Sequence, residues 1–108
     1  PLEPIAKIYT NGLVLQLKAG VNSFGRGENM DFHFDDSSMS RNHFTITVTK
    51  NAYGKWSYTI TTCSKTKATI LNNREPLDLQ NYPISRRSAE LQDGWTIRAG
   101  RTSFQFKK

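Results

Sequence analysis

The side chains best suited to chemistry in this sequence are two arginines, a serine and a histidine. Arg26 and Arg41 carry planar guanidinium groups whose parallel N–H donors match phosphate oxygens, although a solvated surface arginine is the simpler alternative for each. Ser40 and His43 form an S-x-x-H pattern that is compatible with nucleophilic catalysis. No acidic orienting partner or nucleophile-elbow motif accompanies this pair, so the pattern does not predict a hydrolase.

The net charge of +6 comes from fifteen basic and nine acidic residues. This balance favours nucleic acid, acidic lipid or phosphorylated protein as a partner, with ordinary solvated charge as the alternative. Cys63 is the single cysteine, which excludes an internal disulfide and fits a reducing intracellular compartment. No apolar run approaches the roughly 18 residues of a membrane span. We therefore predict no membrane segment, metal or cofactor.

The elements that must position these side chains are β-strands, because apolar and polar residues alternate with period two along most of the chain. The clearest runs cover residues 13–17, 44–49, 56–61, 95–97 and 104–106. Weaker strands are predicted at residues 6–9, 23–25, 32–34 and 69–71. The Asn11-Gly12 pair predicts a tight hairpin turn before the first clear strand.

Short strands separated by polar turns, with no convincing 3.6-residue period, predict an all-β sandwich. Its length of 108 residues is that of one domain, so we expect a single core over residues 1–108. Because the sequence begins at a proline, we expect the domain to come from a longer protein. The less regular run 72–92 is predicted to attach to the core as a long loop through four apolar residues, Leu77, Leu79, Tyr82 and Ile84.

Four short patterns stand at the ends of these strands in a specific order. They are Phe24-Gly25-Arg26, then Ser40-Arg41-Asn42-His43, then the segment 69–73 (TILNN), and finally the segment 91–94 (LQDG). In order and spacing they resemble the forkhead-associated (FHA) family, and the resemblance spans nearly the whole chain. It implies a sandwich of two twisted, largely antiparallel sheets with about eleven strands, whose loops at one end bind phosphothreonine peptides.

The resemblance assigns roles to individual positions. Arg26 is expected to be a principal phosphate contact, Ser40 to donate its hydroxyl to the phosphate, and Arg41 to add a second cation. Scaffold roles are expected for Gly25, which permits close packing, for His43, whose buried imidazole ties the loops together, and for Asn72, which braces a loop. A turn serine that bonds its own backbone is the alternative for Ser40.

One loop departs from the family pattern. Aligned back from Leu71, Thr66 falls on the family's phosphate-contacting hydroxyl residue, while Lys67 and Ala68 replace the usual asparagine and glycine. A lysine cannot accept a hydrogen bond, so we expect Lys67 to contact the phosphate or an acidic side chain that follows it. An alanine at a position that needs positive φ carries strain, which predicts a different loop path.

Three functions follow from these observations, and none is enzymatic. The first is recognition of phosphothreonine in kinase-phosphorylated partner proteins, in a nuclear DNA-damage or cell-cycle setting by resemblance. The second, motivated by the altered loop at Lys67, is phosphate-independent assembly or self-association through a sheet face. Direct nucleic-acid binding ranks last, because the basic residues are scattered and no nucleic-acid-binding motif is present.

Overall fold

The computed structural model of the protein describes residues 6–72, 77 and 87–108. Within these ranges the chain forms ten β-strands, and no helix there is long and apolar enough to cross a membrane. The strands are β1 (Lys7–Thr10), β2 (Leu13–Gln16), β3 (Gly20–Gly25), β4 (Phe32–His33), β5 (Phe44–Lys50), β6 (Trp56–Thr62), β7 (Thr69–Leu71), β8 (Ser88–Glu90), β9 (Thr96–Ala99) and β10 (Thr102–Lys107).

The strands form two five-stranded sheets that pack face to face. One sheet has the order β2-β1-β10-β9-β7 and the other the order β4-β3-β5-β6-β8. Every pairing is antiparallel except the parallel contact of β3 with β4. The predicted all-β sandwich with largely antiparallel sheets is therefore confirmed, with ten strands in the described residues where about eleven were expected.

Alternating residues fill the space between the sheets. On β5 the inward residues Phe44, Ile46 and Val48 are buried, while the threonines between them face outward. Aromatic rings form the centre of the core: Phe24 stacks on Phe44 with ring centroids 4.6 Å apart. Phe104 of the other sheet meets Phe44 edge-on at 5.4 Å, an arrangement that the ring quadrupoles favour. The clear sequence alternation thus decides which face of each strand is inside.

The structure confirms the predicted hairpin turn and adds one strand that the sequence pattern did not predict. Asn11 and Gly12 both have positive φ, 48° and 76°, as the predicted tight hairpin requires. The structure adds β8, which the sequence pattern did not reveal because its three residues are all half-buried or exposed. Leu77 is buried and bridges to Thr69 as expected for an attached loop; the other three predicted anchors, Leu79, Tyr82 and Ile84, lie outside the described residues.

Candidate functional site

Two loops at one end of the sandwich are joined by their backbones. The first follows β3 and the second precedes β5. The amide of Arg26 donates to the carbonyl of Ser40 at 3.0 Å, and the amide of Gly27 donates to that of Arg41 at 2.9 Å. These bonds bring together the two arginines and the serine that the sequence singled out.

Gly25 is the point at which the two loops come closest. A Cβ atom built on Gly25 would lie 2.1 Å from the carbonyl oxygen of Arg41 and 2.9 Å from that of Ser40. Both obstacles are backbone atoms that cannot rotate away, so only glycine fits here. The close approach is what allows the backbone bonds from Arg26 and Gly27 to form.

The two arginines present their guanidinium groups at the surface. The Nε atom of Arg26 donates to the carbonyl of Met39 at 3.2 Å, which fixes the side chain and leaves both terminal nitrogens available. The side chain of Arg41 is exposed, and its guanidinium group has no hydrogen bond or ion pair with another residue that the structure describes. Two cations on one rim of a fixed loop pair form an arrangement suited to an anion.

His43 lies fully buried behind this rim and connects three segments. Its Nδ1 atom accepts the amide proton of Ser40 at 3.0 Å, and its Nε2 atom lies 3.1 Å from the carbonyl of Ala68. Since the carbonyl only accepts, Nε2 must carry the proton. Burial, assisted by the nearby Lys67 ammonium, lowers the pKa of His43. Neither ring nitrogen contacts the Ser40 hydroxyl, so the pair is not arranged as nucleophile and base.

The Ser40 hydroxyl instead contacts Ser64, a residue that the sequence reading did not single out. The two Oγ atoms are 2.5 Å apart, and Ser64 is only 2% exposed. Ser64 Oγ also accepts the amide proton of Lys67 at 2.9 Å. A serine two residues before the predicted Thr66 gives no local signal of this role, because the contact joins residues that are 24 positions apart.

The 63–68 loop, which carries the unusual Lys67 and Ala68, lies against the segment before β5. Thr66 is exposed and has no hydrogen bond within the described residues. Lys67 is exposed too, and its Nζ atom donates to the carbonyl of Ser37 at 3.3 Å. Ala68 is not among the described non-glycine residues with positive φ. The loop therefore follows a path that alanine tolerates, and the strain expected for the glycine-like conformation does not arise.

Asn72 is placed away from this loop. Its Oδ1 atom accepts the amide proton of Thr96 at 2.8 Å, and its own amide donates to the Thr96 carbonyl at 2.9 Å. Four residues of extended chain, about 13 Å, separate Asn72 from Ala68. The residue braces the end of β7 against β9, with a positive φ of 47°.

A second contact that the sequence reading missed holds the Ser40 segment to the opposite sheet. Asp36 accepts hydrogen bonds from the hydroxyl of Thr102 at 2.7 Å and from the amide of Arg101 at 2.9 Å. It also accepts from the amide and hydroxyl of Ser38. These bonds, the Ser38 hydroxyl first among them, hold the pKa of the Asp36 carboxyl far below its usual range. The carboxylate thus fastens the loop before β5 to the start of β10.

His33 lines a groove whose wall also includes Arg26 and Arg41. Its Nδ1 atom is 3.1 Å from the carbonyl of Gly27, and its Nε2 atom is 3.0 Å from Asp35. Both partners only accept, so both bonds form together only when the imidazole is doubly protonated. The Gly27 carbonyl, followed by the Asp35 carboxylate, raises the pKa of His33. In the described ranges no three His, Cys, Asp or Glu residues cluster as a metal site requires.

Comparison with known proteins places this fold and rim in a family. The family model for the FHA domain matches residues 22–100, which include both loops and His43. The chain therefore belongs to the FHA family, as the resemblance in sequence indicated. No curated protein sequence matches the chain.

Solved structures show the same fold. The FHA domain of FhaA, solved with the intracellular domain of Rv3910, is 24% identical over 94% of this chain and 99% of its own, with a TM-score of 0.74. EmbR of Mycobacterium tuberculosis, solved with a low-affinity phosphopeptide, is 22% identical over 94% of this chain and 24% of its own, with a TM-score of 0.75. The MEK1 FHA domain, solved with a HOP1 pThr318 peptide, is 16% identical over 94% of both chains, with a TM-score of 0.77.

Proposed function

We propose that this domain binds phosphothreonine-containing segments of partner proteins at the rim formed by Arg26, Ser40 and Arg41. The observation that carries the proposal is the pair of backbone bonds that set two guanidinium groups and a hydroxyl at one end of the sandwich. A phosphate monoester presents nearly two negative charges and three acceptor oxygens. Two cations and a short neutral donor match that charge and that hydrogen-bonding capacity.

Membership of the FHA family supports the same proposal. EmbR is described with a bound phosphopeptide and the MEK1 FHA domain with a phosphothreonine peptide. These ligands belong to those proteins, and what they share with this chain is the fold. For this chain we propose Thr66 and Lys67 as further ligand contacts, because the 63–68 loop lies directly against the segment that carries Ser40.

The deciding experiment is a titration against a degenerate phosphothreonine peptide library, with phosphoserine and unphosphorylated libraries alongside. We expect selective binding to phosphothreonine, which Arg26→Ala abolishes without unfolding the domain. Arg98→Ala is the matched control, because Arg98 is an exposed arginine on β9 of the other sheet. Equal affinity of Arg26→Ala and Arg98→Ala for the selected peptide would refute the proposed site.

Threonine is proposed over serine because a small pocket for its methyl group is expected from the family. Burial of one methyl contributes about 0.8 kcal/mol by transfer arithmetic, or roughly a fourfold preference. A larger ratio between the two phosphopeptide libraries would show that restriction of the ligand's conformation adds to the methyl contact.

A second candidate function is self-association through strand β2. This strand forms one edge of its sheet, and Leu13 and Val14 on it are each 57% exposed. An edge strand with exposed apolar side chains is a template for pairing with another chain. Sedimentation over a concentration series tests this candidate: a dimer that Leu13→Lys dissociates supports it, and a monomer at all concentrations excludes it.

The cellular setting is a separate and more specific part of the proposal. Kinase-phosphorylated partners in nuclear DNA-damage or cell-cycle signalling are proposed from the family resemblance alone. Localisation of the tagged protein before and after DNA damage tests that setting separately from phosphopeptide binding.

A further inference from the structure

We propose that Ser64 is a positioning residue that turns the Ser40 hydroxyl proton toward the bound phosphate, an inference that rests on the proposed function. Ser64 is 2% exposed, so its hydroxyl cannot contact a ligand directly. Its Oγ atom nevertheless lies 2.5 Å from that of Ser40, the hydroxyl at the rim. The influence of Ser64 on a ligand must therefore pass through Ser40.

The direction of the hydrogen bonds follows from counting donors and acceptors. A serine hydroxyl has one proton and two lone pairs. The amide of Lys67 donates to Ser64 Oγ at 2.9 Å and so occupies one lone pair there. Either serine can donate across the 2.5 Å contact while the site is empty. If Ser40 donates, its proton points inward and only lone pairs face the rim.

A phosphate group removes this ambiguity. Near neutral pH the phosphate of phosphothreonine acts chiefly as an acceptor, so Ser40 must donate its proton outward. Ser64 must then donate to Ser40, since a contact of this length needs one proton between the two oxygens. The result is one chain of donors that runs from the Lys67 amide through Ser64 and Ser40 to the phosphate.

Each bond in such a chain polarises the next, so the hydroxyl at its end becomes a stronger donor. The chain also gives the unusual loop a part in recognition that does not depend on its side chains. The amide of Lys67 reaches the anion through two hydroxyl groups, whatever the Lys67 ammonium contacts.

A double-mutant cycle with the phosphothreonine peptide that the wild type binds most tightly tests this inference. We expect Ser40→Ala to weaken binding about twentyfold, as for loss of a bond to a charged group, and Ser64→Ala about fivefold. In the Ser40→Ala background, Ser64→Ala should change affinity less than about twofold, because the residue through which it acts is gone. Ser64→Thr keeps the hydroxyl and should restore most of the affinity.

Thr62→Val is the matched control. Thr62 lies two residues before Ser64 and makes a buried hydroxyl contact of 3.1 Å with Thr69 that does not involve Ser40. It should lower the melting temperature without changing affinity, so that Ser64→Ala differs from it in binding at a comparable thermal loss. Losses that add in the double mutant would overturn the inference alone. Absence of phosphopeptide binding by the wild type would overturn the proposed function and this inference with it.

Discussion

The two halves of the candidate site are held together by different kinds of bond. Between the loop after β3 and the segment before β5, the contacts are chiefly between backbone amides and carbonyls, with Gly25 at the point of closest approach. The 63–68 loop starts with two backbone bonds, from the amides of Cys63 and Ser64 to the carbonyl of His43. Beyond Ser64 it is attached through the side chains of Ser64 and His43. The first half depends on the absence of a side chain, and the second on the presence of particular ones.

This difference explains how the loop sequence can depart from the family pattern while Arg26 and Ser40 keep their places. Backbone bonds do not change when exposed side chains do, so the fold itself sets the shape of the rim formed by Arg26, Ser40 and Arg41. The 63–68 loop can vary at Lys67 and Ala68 as long as its two buried contacts are made. Affinity for phosphate is therefore expected from the first half and peptide preference from the second.

The largest effect is expected from a substitution that disrupts the first half, which is joined by backbone bonds. Gly25→Ala places a methyl group 2.1 Å from the Arg41 carbonyl oxygen and should destabilise the domain by about 3 kcal/mol or more. Gly27→Ala is the graded control, because its methyl would lie 3.1 Å from the same oxygen and needs only a small shift. Urea denaturation of both variants measures the difference. Equal losses would show that the segment can move and that the backbone half is not rigid.

The next largest effect is expected from a substitution that disrupts the second half, the attachment of the 63–68 loop. His43→Phe keeps a buried ring but leaves the Ser40 amide and the Ala68 carbonyl without their partner. We expect a loss of about 2 kcal/mol in the free energy of unfolding, since buried groups lose their bonds. Phosphopeptide affinity should fall as well, because the Ala68 end of the 63–68 loop then loses its bond to the buried ring. Unchanged affinity in a folded His43→Phe variant would mean that this loop does not contact the ligand.

The pH dependence of stability should separate the two histidines by sign. Burial lowers the pKa of His43 in the folded state, so the unfolded chain binds the extra proton first and stability falls as the pH drops below about 6.5. The pKa of His33 is raised, so its contribution is complete below about 6.5 and is lost as the pH rises through the folded pKa. Urea unfolding of the wild type and of His33→Gln at pH 5.5, 7 and 8.5 tests this.

For His33→Gln the stability deficit should be greatest at pH 5.5 and smallest at pH 8.5. A deficit that grows with pH would contradict the doubly protonated imidazole. NMR titration of the two ring signals provides the independent check, with the folded pKa of His33 above that of His43.

The smallest effect on stability is expected for a substitution of Lys67. Its effect should appear in the affinity for the peptide instead. Lys67→Ala removes one exposed contact to the Ser37 carbonyl and should change the free energy of unfolding by less than about 0.5 kcal/mol. Affinity for a phosphothreonine peptide with a following aspartate should drop about threefold, and affinity for the alanine version much less. An equal drop for both peptides would assign Lys67 to the phosphate rather than to the acidic residue.

The sequence predicted the parts of the molecule that depend on local pattern. Strand β5 and its inward Phe44 follow from period two, and Gly25 and Arg26 stand out by their position at a strand end. Strand β8 could not be predicted, because a three-residue strand at a sheet edge buries too little to impose alternation. No local pattern in the sequence indicates the roles of Ser64 and Asp36 either. Each depends on a partner brought close only by the completed sandwich, 66 positions away for Asp36 and Thr102.

The hydrogen bond between Asp36 and Thr102 also affects how easily the site opens locally. The segment that carries Ser40 belongs to one sheet through its backbone and to the other through this carboxylate. Its local opening therefore requires the bonds to both sheets to break together, which costs more than the opening of a loop attached to one sheet. Amide protons at Arg26 and Gly27 should exchange with solvent more slowly than those of loops attached to one sheet. A site preformed in this way meets its ligand without rearrangement, so association should follow a single, concentration-proportional rate.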